Sequence, residues 1–167
     1  MAPVNPLKET TPKRWVAFSF LLVLLLDFIP VPPPWVYPLP DFTLILLAYW
    51  LLHRPQLIGI GAAFCIGLLV DIGSNALLGQ HALAYTVAAF LIERKRRQIA
   101  LNSFGWQAVA IAGAMLASQM VVFVVSLFQQ QPFSLWRLWL PSVTTGLLWP
   151  QLNNMMLAIA HFRRNHK

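Results

Sequence analysis

The chain has 167 residues, 58% of them hydrophobic and only 10% charged, with a formal net charge of +7. Soluble domains carry about 25% charged residues, so these proportions exclude an ordinary soluble protein and indicate a membrane protein. A single cysteine, Cys65, inside an apolar run excludes a disulfide framework and a cysteine metal site.

The opening stretch "MAPVNPLKETTPKRW" is polar and lacks the small-residue cleavage site of a secretory signal. Residues 1–14 therefore read as a cytoplasmic tail, 15–162 as a single transmembrane domain, and 163–167 as a second cytoplasmic tail. Apolar segments run over Trp15–Ile29, Phe42–Leu52, Leu57–Val70, Ala82–Ile92, Phe104–Phe128 and Leu138–Ala160. They predict an all-α fold, a polytopic membrane bundle of about six helices, some of them short or broken. The linker "PVPPPWVYPLP" (Pro30–Pro40) cannot be helix interior, because each proline lacks an N–H and clashes with the preceding turn. It reads as extended chain, with Trp35 and Tyr37 at the outer headgroups. Between Arg54 and Arg94 about 39 residues must cross twice, a rise of about 58 Å against a 30 Å core. The first four spans are accordingly expected to be short, locally thinning or re-entrant, with the third and fourth meeting in a tight outer break.

Basic residues set the orientation. With the N-terminus in the cytoplasm, the inner side receives Lys8, Lys13, Arg14, Arg54, Arg94, Lys95, Arg96, Arg97, Arg163, Arg164 and Lys167; only Arg137 falls outside. Arg94, Lys95, Arg96 and Arg97 read as a cytoplasmic basic anchor touching anionic lipid, with a partner-docking site as the alternative. No aromatic-interleaved basic surface accompanies them, so nucleic acid is not an expected partner.

Asp71 stands in an apolar run although an aspartate at a bilayer centre costs roughly 2.5–3.5 kcal/mol. Gly59, Ala63, Gly67 and Asp71 recur every four residues, a small-residue stripe that permits close helix packing and puts Asp71 on its protein-facing side. Three readings stay open for Asp71. It accepts backbone N–H groups of the following turn or caps the next helix, it faces a partner or ligand, or it couples protons. Asp27, Asp41 and Asp71 share the predicted outer side with Arg137, which allows an ion pair with one of them; Asp27 and Asp41 equally suit exposure at the interface, and Asp41 after Pro40 also suits a helix N-cap.

In the last span Pro150 opposes the carbonyl of Gly146, which predicts a kink. Ser142, Gly146, Trp149 and Asn153 share one face, a seam for interhelical hydrogen bonds or a ligand groove. Ala110, Ala114 and Ser118 read as a packing stripe. His53, His81, His161 and His166 form no metal pattern, no serine sits in a nucleophile elbow, and no phosphate loop is present. No enzyme activity and no cofactor are expected.

Four stretches in register, "RWVAFSFLLVLLLDFIP", "PDFTLILLAYWLLHRP", "GLLVDIGSNALLGQHALAY" and "GLLWP", resemble the MreD family of bacterial rod shape-determining membrane proteins from about Arg14 to the C-terminus. The Asp71 to Leu78–Gly79 spacing is the most telling piece. The resemblance implies a scaffold of the cell inner membrane in the elongasome, acting in cell shape and lateral peptidoglycan synthesis. Its implied partners are an MreC-like bitopic protein and, through it, MreB, RodZ and the RodA–transpeptidase pair. More distantly the family resembles the six-helix substrate-binding components of energy-coupling-factor transporters, which gives the alternative of a small-molecule or lipid binder. On either view Asp71, Gly67, Gly79, Arg137, Gly146, Trp149 and Asn153 are the candidate partner or pocket residues.

Overall fold

A computed structural model describes residues 12–32, 38–130 and 136–165; the side chains of Phe104, Arg137 and residues 156–165, and the linker aromatics Trp35 and Tyr37, lie outside the described residues. Six helices follow one another: α1 (Lys13–Asp27), α2 (Phe42–His53), α3 (Ile60–Gly73), α4 (Gln80–Leu101), α5 (Phe104–Phe128) and α6 (Trp136–Asn165). No strand occurs among the described residues. The all-α expectation of six helices therefore stands.

α2 is the centre of the bundle. Asp41 stands at its N-cap after Pro40, and Asp41 Oδ1 accepts the N–H of Leu44 at 2.8 Å. At the other end Pro55 disfavours helical backbone at Arg54, which leaves the helix at φ −136°. Every residue from Thr43 to Leu52 is buried. α2 packs on α1 and α4 and touches α5 and α6, while α3, α4 and α5 each pack on the next in sequence. Its 12 residues rise only about 18 Å. Because protein and not lipid surrounds it, a short helix leaves no backbone group facing hydrocarbon. That accounts for the short second segment.

The outer surface is apolar. Phe18, Leu21 and Leu25 on α1, Ile72 on α3, Val109 on α5 and Leu147 on α6 are each more than half exposed. Among the described residues one helical stretch, Gly105–Phe128, is by length and composition alone long and apolar enough to cross a membrane; Phe42–His53 and Ile60–Gly73 are shorter apolar helices.

Several segment ends differ from the sequence reading, those of the third and fourth among them. The third starts at Ile60, not Leu57, because the chain after Arg54–Pro55 first makes a turn in which Leu57 and Ile58 donate to the Arg54 carbonyl. The fourth does not stop at Ile92 but continues through the basic run to Leu101. Arg, Lys, Gln and Glu are strong helix formers, and Glu93 and Arg97 are one helical turn apart. α4 thus has 22 residues and rises about 33 Å. α6 is helical through both Pro141 and Pro150.

Candidate functional site

The last turns of α1, α3 and α5 and the first turns of α2, α4 and α6 line one cavity of about 630 Å³. Neighbouring helices in the sequence therefore run in opposite directions, and the six make three up-and-down pairs. All three aspartates of the chain lie at this end, at or beside the cavity. The opposite end carries Lys13 and Arg14 at the start of α1, Arg54 after α2, and Arg94–Arg97 in the last turns of α4.

Each aspartate holds the start of a helix. Asp27 ends α1, and its Oδ2 accepts both the N–H (2.8 Å) and the hydroxyl (2.6 Å) of Thr43. The two ends of the proline linker are thereby tied together. Asp41 caps α2 with one oxygen, and its Oδ2 accepts the Tyr85 hydroxyl at 2.6 Å, joining α2 to α4.

Asp71 does most. The N-cap of α4 is Gly79, which has no side chain to offer, and the first turn of α4 contains no acidic residue. Asp71 supplies the missing carboxylate from α3. Its Oδ2 accepts the N–H groups of Gly79 (2.8 Å) and Ala82 (3.3 Å), and its Oδ1 accepts the N–H of His81 (2.8 Å). His81 Nδ1 lies 2.9 Å from the same Oδ1, within hydrogen-bond distance of it. Asp71 is 1% exposed. Its geometry is that of a helix cap delivered across a hairpin, with charge at the positive end of the α4 dipole.

Gly67 makes this reach possible. A Cβ there would stand 2.5 Å from Ala82 Cα and 2.6 Å from Ala82 N and the His81 carbonyl oxygen. Only a glycine lets α3 come this close one turn before Asp71. Gly79 is required for a different reason: its φ is +100°, while a Cβ there would meet nothing within 4 Å. Gly79→Ala is expected to cost about 1–2 kcal/mol through backbone strain alone. A thermal melt of the detergent-solubilised protein checks this, and an unshifted midpoint would remove the argument.

The remaining candidates fall elsewhere. Gly146, Trp149 and Asn153 lie on the α6 face toward α5, where a Cβ on Gly146 would come 3.4 Å from the Ala112 Cβ. Trp149 is fully buried and donates its indole N–H to Gln107 Oε1 at 3.4 Å. Neither Trp149 nor Asn153 lines the cavity at the acidic end. The proposed ion pair of Arg137 with an aspartate lies outside the described residues, since it depends on the Arg137 side chain. Arg94, Lys95 and Arg97 are exposed on the last turns of α4.

Sequence reasoning missed His81 and Tyr85. They are four residues apart, on one face of α4 just after Gly79, and both line the cavity. The i, i+4 spacing was a usable signal for a shared face. The pairing of Tyr85 with Asp41, 44 residues away, had no local signal at all.

Known proteins agree on one family. A family model described as rod shape-determining protein MreD matches residues 10–158, which takes in almost the whole helical array. The chain is similar to the rod shape-determining protein MreD of Haemophilus influenzae, 26% identical over 140 residues that cover 84% of this chain and 86% of that one. No solved structure matches it. With its matched region running from before α1 into α6, this chain belongs to the MreD family of rod shape-determining proteins.

Proposed function

We propose that this protein is a multi-pass scaffold of the bacterial cytoplasmic membrane that serves cell elongation by holding an MreC-like bitopic partner. Through that partner it joins MreB, RodZ and the RodA–transpeptidase pair. The observation that carries the reading is the family match across residues 10–158; rod shape is the trait for which the family is named.

The arrangement of charge supports an orientation with both termini in the cytoplasm. Alternating helices put the aspartates at one end and Lys13, Arg14, Arg54 and Arg94–Arg97 at the other. A basic end belongs on the inner side of a bacterial membrane, and the exposed apolar flanks of α1, α3 and α5 suit lipid. Residues 15–162 then form the membrane domain. This reading assigns partner contact to the rim of the acidic cavity, which Asp27 and Asp41 line.

A second reading is favoured by the cavity itself. About 630 Å³ with carboxylate, amide, imidazole and phenol groups in its wall is of the size of a small-molecule site. One experiment separates the two. Tagged protein is purified from its host in mild detergent, and everything retained is identified by mass spectrometry. MreC-like and wall-synthesis proteins without a stoichiometric small molecule are the expected result. A bound metabolite together with ATPase subunits, and no elongation proteins, would overturn the scaffold reading.

A further inference from the structure

Away from the acidic cavity, a second hollow of about 360 Å³ lies between the C-terminal half of α4 and the N-terminal half of α5. We propose that it binds one anionic phospholipid of the leaflet at the basic end. The two helices form a hairpin, α4 ending at Leu101 and α5 starting at Phe104. Chain direction therefore orders the groove. Near the hairpin turn its wall carries polar groups beside Ile99: Lys95 and Gln98 of α4, Asn102 just after it, and the exposed Trp106 of α5. Away from the turn the wall becomes Leu91, Gly113 and Ala114.

Leu91 to Asn102 is about 16 Å of helix, of which about 10 Å from Lys95 onward is the polar end. The polarity thus runs in the direction of a lipid whose headgroup faces the hairpin turn and whose acyl chains run toward Leu91, Gly113 and Ala114. Charge selects the headgroup. Lys95 is exposed and lines the groove, whereas Glu93 of the same helix points away, its Oε1 3.4 Å from where a Cβ on Gly59, just before α3, would stand. An apolar floor disfavours a soluble anion, and unopposed cations give a zwitterionic lipid no advantage. Trp106 is 66% exposed at the level where an indole suits the headgroup boundary. A basic recess between membrane helices on the cytoplasmic side is a recurrent anionic-headgroup site.

The leaflet assignment rests on the orientation proposed above; the groove itself does not. Full-length protein in mild detergent is titrated with phosphatidylglycerol or phosphatidylcholine of identical acyl chains, and bound lipid is counted by native mass spectrometry. About one phosphatidylglycerol per chain is expected to be retained in preference to phosphatidylcholine. Lys95→Gln should reduce phosphatidylglycerol occupancy about fivefold and leave phosphatidylcholine unchanged. Gly113→Leu should reduce both lipids, since the space around Gly113 is open and the new side chain fills it. Leucine is the better helix former, so an unlowered melting temperature confirms that this variant is folded. Equal retention of the two lipids, or wild-type occupancy in both variants, would overturn the site. Orientation is read separately by labelling Lys95→Cys in a Cys65→Ser background with an impermeant maleimide. Labelling only in inverted vesicles is expected; labelling of intact spheroplasts would overturn the leaflet assignment and leave the groove to be judged by the lipid counts.

Discussion

Asp71→Ala is expected to destabilise the fold by about 3 kcal/mol or more and to empty the membrane fraction of the protein. The substitution removes the acceptor of three main-chain N–H groups, those of Gly79, His81 and Ala82, together with the His81 ring. Each donor left unsatisfied in a water-poor site costs roughly 1–3 kcal/mol, and no side chain at Gly79 can replace the cap. Asp71→Asn should be intermediate. Its amide keeps one accepting oxygen but turns an NH₂ group toward donors. Steady-state levels and detergent melting midpoints should rank wild type above Asp71→Asn above Asp71→Ala. If both variants accumulate and melt like the wild type, the cap is not what stabilises the hairpin; retained levels with lost partner association would instead make Asp71 an interface group.

The second large effect belongs to Gly67. Gly67→Val is expected to cost about 3 kcal/mol or more, beyond the usual 1–3 kcal/mol of an overpacked core. The atoms it strikes are the Ala82 Cα and N and the His81 carbonyl oxygen, which belong to the main chain and cannot turn aside as a side chain can. α3 and α4 must separate, and the separation pulls Asp71 away from Gly79 one turn later. Gly61→Ala on the same helix provides the contrast. Nothing lies within 4 Å of its added methyl group, and alanine favours helix over glycine by up to ~1 kcal/mol. Melting should show Gly67→Val far below the wild type and Gly61→Ala at or above it. Similar midpoints for the two would mean that the close approach of α3 and α4 has no energetic weight.

What could be read from the sequence was what a single helix determines for itself. Six apolar runs became six helices, Pro40–Asp41 announced the cap of α2, and the four-residue spacing of Gly59, Ala63, Gly67 and Asp71 put the last three on the buried side of α3. Segment ends were less accurate. Hydropathy stopped the fourth helix at Ile92 because it registers the charge of Arg94–Arg97 and not the helix propensity of the same residues. Contacts between distant segments could not be read. Asp27 with Thr43, Asp41 with Tyr85 and Trp50 with Ser19 are hydrogen bonds across 16 to 44 positions. Their partners are set by which helices become neighbours, and no local pattern encodes that. The length shortage of the early segments had the same origin. For the second segment it came from assigning every helix to lipid, whereas α2 is enclosed by the others.

The cap of α4 by an α3 residue also ties the completion of one helix to the making of the next. Synthesis delivers α3 first: 14 residues, about 21 Å of helix, with a carboxyl group at its trailing end. The donors that satisfy Asp71 appear only 8 to 11 residues later, when Gly79, His81 and Ala82 have been made. Once the first turn of α4 forms, those N–H groups reach the Asp71 side chain. The unit that completes its own hydrogen bonds is therefore the α3–α4 hairpin, joined by a turn of six residues.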